Sequence, residues 1–288
     1  MDVRESPITV DIVNGVRLAF QVFGDDERQA IVLVPGTASS MEWWDDDFCR
    51  ALAAGDGGRR VIRYDPRDTG QSETVPPGAA AYDGGDMLDD LAALIEHTGA
   101  VPAHLVGLSA GGGMAQNLAL ERPGLLASVT LMSTSPIGAV SARLPPPTPE
   151  LAASFGAAPP QTDWADPDAV GAVAVEAERL YSGGIPVDER RIRRIAVSSA
   201  ARSASPDSAS NHWSVGDPPA LRTDIRAIGL PTLVVHGSDD PLFPLAHGEA
   251  LAGIIPGARL VVVPGMGHQF PPPPTWLQIV GELLRHTA

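Results

Sequence analysis

Gly107-Leu108-Ser109-Ala110-Gly111 is the stretch on which the reading of this chain turns. The serine sits between two glycines. It directly follows the apolar run Leu105-Val106 and precedes Gly112-Gly113-Met114-Ala115-Gln116-Asn117-Leu118-Ala119-Leu120, which reads as a helix. A serine at a sharp strand-to-helix turn has strained backbone angles, and only small flanking residues let strand and helix come close enough to hold Oγ at the tip. Matches of this length also arise by chance in Gly- and Ser-rich chains; the strand before and the helix after single this one out. The first N–H groups of that helix face the serine, and the helix dipole favours negative charge there.

A serine hydroxyl is a poor nucleophile at neutral pH, so the motif requires a general base and a group to orient it. Both residue types occur further along. Leu233-Val234-Val235 is followed by His236-Gly237-Ser238-Asp239-Asp240-Pro241, and Leu260-Val261-Val262-Val263 by Pro264-Gly265-Met266-Gly267-His268. Each candidate lies just beyond the C-terminal end of a predicted strand, where open parallel sheets place their sites.

Working outward, Thr9–Val13 and Val16–Val22 alternate around Asn14-Gly15, the turn pair of a tight hairpin, and predict an antiparallel sheet edge. Apolar runs at Ile31–Val34, Val61–Tyr64, His104–Val106, Val129–Met132, Leu233–Val235 and Leu260–Val263 then alternate with helix-like stretches, which predicts a mostly parallel, doubly wound sheet. From Pro136 to Asp217 strand-like runs vanish and Pro, Ala and Ser dominate. Leu180, Tyr181, Ile185, Ile192, Ile195 and Val197 recur there at helical spacings near Trp164 and Trp213, so this part reads as a short helical insertion rather than a linker.

Val34-Pro35-Gly36-Thr37, Asp65-Pro66-Arg67-Asp68-Thr69-Gly70-Gln71-Ser72, the serine motif, Gly237-Ser238-Asp239-Asp240-Pro241 and Gly265-Met266-Gly267-His268 stand in the order and spacing of the α/β-hydrolase superfamily. The chain resembles that superfamily over nearly its whole length except the middle. Within it, the chain looks most like the aclacinomycin methylesterase type of polyketide-tailoring esterase, on the Arg-Asp-Thr-Gly loop and the stretch from His247 to His268. The resemblance implies an α/β-hydrolase fold of about eight strands, with a core of residues 1–135 and 218–288 and a helical cap at 136–217. It implies Ser109 as nucleophile, His268 as base and then acid, and Asp240 as the residue that orients the imidazole. Asp239 is the competitor; Asp240 is preferred because the superfamily's acid directly precedes a proline in this loop. Some relatives carry the acid after the strand that follows the nucleophile helix, but here Val129–Met132 leads into Ser133-Thr134-Ser135, with no carboxylate. The oxyanion donors implied are the N–H groups of Ala110 and Thr37. Pro35-Gly36 replaces the common His-Gly, which removes a side chain that often braces this loop.

Composition bounds the alternatives. The 288 residues carry a formal net charge of −15 and no lysine, so a polyphosphate partner meets long-range repulsion and nucleic-acid binding is not expected. The opening residues Met1-Asp2-Val3-Arg4-Glu5-Ser6-Pro7 lack the basic start and apolar run of a signal peptide. No stretch reaches the roughly 18 apolar residues of a membrane span, and the expectation is a soluble cytoplasmic protein without a membrane partner. Cys49 is the only cysteine and reads as a small packing residue. His97, His236 and His247 lack the spacing of metal ligands, so neither a metal nor a cofactor is expected. Arg190-Arg191-Arg193-Arg194 reads as a solvated helix face beside Asp188 and Glu189. Asp65, Arg67 and Asp68 read as structural, and Pro271–Pro274 as a rigid lead into a helix.

For the substrate pocket the candidates are Trp43, Trp164, Phe243 and Met266. For Trp43 and Trp44, lining a pocket and anchoring a helix are equally open readings. The expected function is a serine hydrolase that cleaves a carboxylic ester, with a methyl ester of a bulky apolar small molecule as the implied substrate. A lactonase, a carbon–carbon bond hydrolase and, from another class, a ligand sensor on a hydrolase scaffold are the alternatives.

Overall fold

Asn14 and Gly15 both hold left-handed backbone angles, with φ of 52° and 80°, and the strands they join, β1 (Thr9–Val13) and β2 (Val16–Phe23), pair antiparallel with Val13 opposite Val16. The computed structural model describes residues 3–25, 27–55, 58–156, 160–215 and 224–288. Behind the hairpin follow β3 (Ala30–Val34), β4 (Arg60–Asp65), β5 (Ala103–Leu108), β6 (Leu126–Met132), β7 (Thr232–Gly237) and β8 (Arg259–Val263). They form one eight-stranded sheet in the order β1-β2-β4-β3-β5-β6-β7-β8, antiparallel at the β1-β2 and β2-β4 pairs and parallel elsewhere.

The inner strands are near-continuous apolar runs because both faces of the sheet are covered. Val32, Val34, Leu105, Val129, Leu131 and Val234 point into one core, packed with Leu91, Leu94 and Leu118. Their neighbours Ile31, Leu33, Val106, Met132, Leu233 and Val235 point into the other, with Phe48, Leu52 and Leu283. The first core is closed by α2 (Gly84–His97), α3 (Ala110–Glu121) and α7 (Ala246–Ile254), the second by α1 (Asp46–Ala53) and α8 (Trp276–His286). Cys49 is fully buried in the second core, and burial pushes its thiol up to about 12, so it packs as a small apolar residue.

Between β6 and β7 lie α4 (Pro149–Ser154), α5 (Pro167–Tyr181), α6 (Glu189–Arg202) and a 3₁₀ turn at Pro206–Trp213. The expected boundary at 217 and 218 falls outside the described residues. The arginine cluster on α6 is not a purely solvated face. Arg191 is buried with its Nε donating to Asp45 Oδ2 at 3.1 Å, and Arg194 reaches the same oxygen at 3.3 Å. The sequence pattern hides this because the partner is 146 positions away, at the N-cap of α1. Arg202 similarly ties α6 to Asp65 at 2.9 and 3.0 Å, and to Glu42. Asp68 accepts from Val75 N–H, Tyr82 O–H and Asn211 Nδ2, so the 65–78 loop and the 3₁₀ turn hold one another.

Among the described residues, no helix is long and apolar enough to cross a membrane. Four histidines, His104, His212, His236 and His286, are held by burial below the ordinary imidazole pKa. For His104 on β5 the value falls to about 4. Its Nδ1 meets Ser128 Oγ at 2.7 Å, and its Nε2 is buried without a partner among the described residues. An unfolded histidine takes up its proton near pH ~6.5, so between there and about pH 4 the unfolded chain binds more protons than the folded one. Stability is therefore expected to fall as pH drops through that window, with His104 alone contributing about 3 kcal/mol. Urea melts from pH 7 to 4 measure the slope. A His104→Gln variant should flatten it, and an unchanged slope would show that His104 is not held neutral.

Candidate active site

Gly107 and Gly111 fit because nothing larger does. A Cβ on Gly107 would sit 2.1 Å from Gly111 O, and one on Gly111 would sit 2.5 Å from Val34 O. The close passage of β5, α3 and β3 is thus the physical content of the G-x-S-x-G pattern. Between the glycines, Ser109 adopts φ 55° and ψ −118°, a left-handed conformation unusual for a side-chain-bearing residue, and it is held by its N–H donating to Met132 O at 3.0 Å. Thr134 Oγ1 donates to Ser109 O at 2.8 Å, so the uncharged Ser133-Thr134-Ser135 loop after β6 braces the turn.

Three chain segments converge on this serine. His268, in the loop after β8, places Nε2 2.9 Å from Ser109 Oγ and Nδ1 3.0 Å from Asp240 Oδ2. Asp240, in the loop after β7, accepts on Oδ1 from the N–H groups of Leu242 (2.9 Å) and Phe243 (2.8 Å). Burial opposes the charge on Asp240, but the imidazole of His268, that of His236 and the Phe243 N–H outweigh it and hold the carboxyl below its usual range. An ionised acceptor makes Nδ1 of His268 the protonated nitrogen. Nε2 is then left to accept from the Ser109 hydroxyl. Tyr181 and Phe243 flank the imidazole, with ring centroids 5.9 and 5.3 Å away.

Asp239 points elsewhere. It accepts from Ser238 Oγ at 2.7 Å and from Gly184 N–H at 3.2 Å, fastening the loop after α5. His268 N–H donates to Tyr181 O at 2.7 Å and Ile185 N–H to Gly265 O at 3.0 Å, so that loop and the His268 loop are stitched together. His236 is fully buried, donates from Nε2 to Phe243 O at 2.7 Å, and lies 3.7 Å from Asp240 Oδ2.

Ser109 and His268 open into a cavity of about 1000 Å³. Thr37 and Ala110 line it, and their backbone N–H groups have no partner among the described residues. The neighbouring Ala38 also holds a left-handed angle, φ 57°, and its N–H donates to His212 Nδ1 at 3.0 Å, while His212 Nε2 donates to Arg67 O at 2.7 Å. A histidine from the 3₁₀ turn thus supports the loop that Pro35 leaves without a side-chain brace. Nothing in the local sequence around Asn211-His212-Trp213 signals that contact.

Of the sequence-stated pocket candidates, Trp43 and Phe243 line the cavity. Trp43 stacks on Phe270, also in the lining, with centroids 5.8 Å apart, whereas Trp44 is buried in the core: one tryptophan has each role. Trp164 and Met266 must be corrected. Trp164 is 43% exposed and outside the lining, because it precedes α5 rather than lying on its inner face; Met266 is fully buried in the second core beneath the His268 loop. Pattern reading missed Glu178 and Gln269 as lining residues. Glu178 precedes Tyr181 by three positions and so shares its helix face, and Gln269 directly follows His268. Those spacings are the signals that were present.

The family described as alpha/beta hydrolase fold matches residues 29–271. Rhodomycin D methylesterase DauP of Streptomyces sp. (strain C5) is 30% identical over 270 residues, covering 89% of this chain and 90% of its own length. Rhodomycin D methylesterase DnrP of Streptomyces peucetius is 30% identical over 275 residues with the same coverage. Among solved structures, a meta-cleavage product hydrolase of Pseudomonas fluorescens superposes with a TM-score of 0.73 at 18% identity, over 97% of both chains. An enol-lactonase of Burkholderia xenovorans does so with 0.70 at 23%, over 97% of this chain and 99% of that one. The last two likenesses are of fold alone. On the match that spans 29–271, and on two relatives aligned over nine-tenths of their length, the chain belongs to the α/β-hydrolase fold family.

Proposed function

We propose that the chain is a serine hydrolase that cleaves a carboxylic ester through an acyl-enzyme, and that its substrate class is the methyl ester of a bulky, largely apolar small molecule. The observation that carries this reading is the continuous relay Ser109–His268–Asp240 at the wall of a roomy cavity. Ser109 Oγ attacks the ester carbonyl while His268 Nε2 takes its proton. Asp240 holds the imidazole tautomer and stabilises the imidazolium. The oxyanion is met by the N–H groups of Thr37 and Ala110, of which the second opens α3. Collapse breaks the carbon–oxygen bond, and His268 returns the proton to the departing alkoxide, which leaves as the alcohol. Water then attacks the acyl-Ser109 ester, with His268 again as base, and the acid is released.

The segment 136–217 acts in this reading as a cap, since Phe155, Ala174, Tyr181 and Trp213 from it line the cavity together with Ser109. The methyl-ester assignment draws on the two methylesterase relatives and on a cavity at the upper end of the ~300–1000 Å³ range of small-molecule pockets.

Steady-state assays on p-nitrophenyl acyl esters, methyl acetate, bulky aromatic methyl esters, lactones and carbon–carbon hydrolase substrates test the proposal. Multiple turnover is expected, and at a constant methoxide leaving group the bulky aromatic methyl esters should be preferred in kcat/KM over methyl acetate by at least about tenfold, as burial of one or two extra apolar groups provides. Turnover of lactones or of carbon–carbon substrates, with every ester inert, would overturn it.

A further inference from the structure

The peptide between Thr37 and Ala38 is pinned at both ends. Its N–H, from Ala38, donates to His212 Nδ1 at 3.0 Å, and its C=O, from Thr37, accepts from Ser39 Oγ at 3.2 Å. It is the central peptide of a turn in which Ser39 N–H donates to Gly36 O at 3.3 Å. Ala38, the third residue of that turn, holds φ 57°, which a residue with a side chain keeps only where its surroundings over-determine it. Rotating the central peptide interconverts turn types and would carry the Ala38 N–H away from His212. With that peptide fixed, the neighbouring Thr37 N–H is left in the cavity wall with no partner among the described residues.

His212 can serve in only one state. Nδ1 must be the acceptor, and Nε2, which donates to Arg67 O at 2.7 Å, the protonated nitrogen. Burial holds the ring below its ordinary pKa and so favours that neutral form, although Arg67 O and Asp68 pull the other way. The ring is also well anchored. Arg67 is fixed by Asp90 at 2.5 and 2.8 Å, and Asn211, next to His212, by Asp68 Oδ2 and the Gly78 N–H. Two further contacts from the same part of the insertion reach the same loop. Ser199 Oγ lies 2.7 Å from Ser40 Oγ, and Arg202 donates to Glu42. Ala38, Ser40 and Glu42 are thus gripped in succession from outside the loop.

We propose that His212 is a positioning residue for the reaction: by accepting the Ala38 N–H it sets the Thr37 N–H as an oxyanion donor, and so makes the oxyanion hole depend on the docking of the 3₁₀ turn against the core. This rests on the acyl-enzyme reading, in which the Thr37 N–H meets the oxyanion. His212 is outside the cavity lining and acts through the loop alone.

Two substitutions separate this role from a mere tether. H212N places a carbonyl oxygen where Nδ1 stood and gives up the bond to Arg67, whereas H212Q reaches Arg67 O with its NH₂ group and gives up the acceptor for Ala38. H212Q is expected to lower kcat on one ester about a hundredfold with KM nearly unchanged, the scale of one lost oxyanion donor, and H212N to recover at least about tenfold of that. Equal losses in the two variants, the reverse ranking, a loss confined to KM, or an H212Q within about threefold of wild type would overturn the proposal. An alkyl fluorophosphonate gives the same readout whichever ester is preferred. Ser109 Oγ bonds to phosphorus, fluoride leaves, the serine proton passes to His268, and the phosphoryl oxygen takes the place of the oxyanion. H212Q should be modified about a hundredfold more slowly than wild type. A wild type left unmodified would refute the acyl-enzyme reading and this proposal with it; a wild type modified at Ser109, with H212Q modified equally fast, would refute the proposal alone. If neither variant folds, nitrogen NMR shifts of His212 in the wild type decide. An unprotonated Nδ1 and a protonated Nε2 are expected at about pH 7. The other tautomer, or an imidazolium, cannot accept from Ala38 and would overturn the proposal.

Discussion

Ser109→Ala is expected to lower kcat by on the order of 10⁶-fold, the loss typical when the nucleophile of a serine relay is deleted, while leaving KM for a bulky ester nearly unchanged. The hydroxyl is the group that His268 Nε2 meets at 2.9 Å, and that nitrogen has no other partner among the described residues. The cavity that binds the body of the substrate extends over residues from the 3₁₀ turn, α5 and the loops around Thr37 and Ser135, which the substitution does not touch. The turn itself should survive, since the Ser109 N–H to Met132 O and Thr134 Oγ1 to Ser109 O bonds involve only the main chain of residue 109. Thermal melts of the variant should lie close to those of wild type, so loss of rate can be read as loss of chemistry. A variant that keeps more than a hundredth of the activity would place the nucleophile elsewhere. A wild type that releases one equivalent of alcohol and then stops would instead mark a ligand sensor on this scaffold, because a sensor has no need to clear its acyl-enzyme.

The features legible in the sequence are those whose cause is local. Asn14-Gly15 reads as a hairpin because both positions need left-handed angles, and five of the six apolar runs read as buried strands because each is covered on two sides, while the edge strand β8 is buried on one face and leaves Val262 exposed on the other. Ser109, Asp240 and His268 stand at strand ends marked by glycine or proline, and the structure brings them within hydrogen-bonding reach of one another. What lay beyond pattern reading depends on distant partners. Arg191 looks like one of four solvated arginines until Asp45 arrives beside it, and His212 looks like an ordinary polar residue until the Ala38 N–H needs an acceptor. Trp164 and Met266 illustrate the opposite error. Met266 stands two positions before His268 and Trp164 within the helical insertion, which suggested a pocket for both, but Trp164 turns outward and Met266 down into the core. In the 136–217 region few strand-like patterns remain because α5 and α6 bury a narrow stripe chiefly against each other and expose the rest.

Asp240→Asn is expected to reduce kcat by about 10⁴-fold, and Asp239→Asn by less than about tenfold. The two carboxylates are adjacent in sequence and differ entirely in what they hold. Asp240 takes Nδ1–H of His268 on one oxygen and two backbone N–H groups on the other, so its charge is anchored and its direction set. An asparagine there would keep the Leu242 and Phe243 bonds through its carbonyl oxygen and would present an NH₂ group to His268. That group donates, so Nδ1 must become the acceptor and Nε2 the protonated nitrogen, which can no longer take the Ser109 proton. Asp239 carries Ser238 Oγ and the Gly184 N–H, so its loss loosens the loop after α5 without altering the imidazole tautomer. The effect of Asp239→Asn should therefore appear in KM, through the α5 side of the cavity, and that of Asp240→Asn in kcat. Steady-state kinetics of both variants on one bulky ester decide the matter, and the reverse ranking would move the orienting role to Asp239.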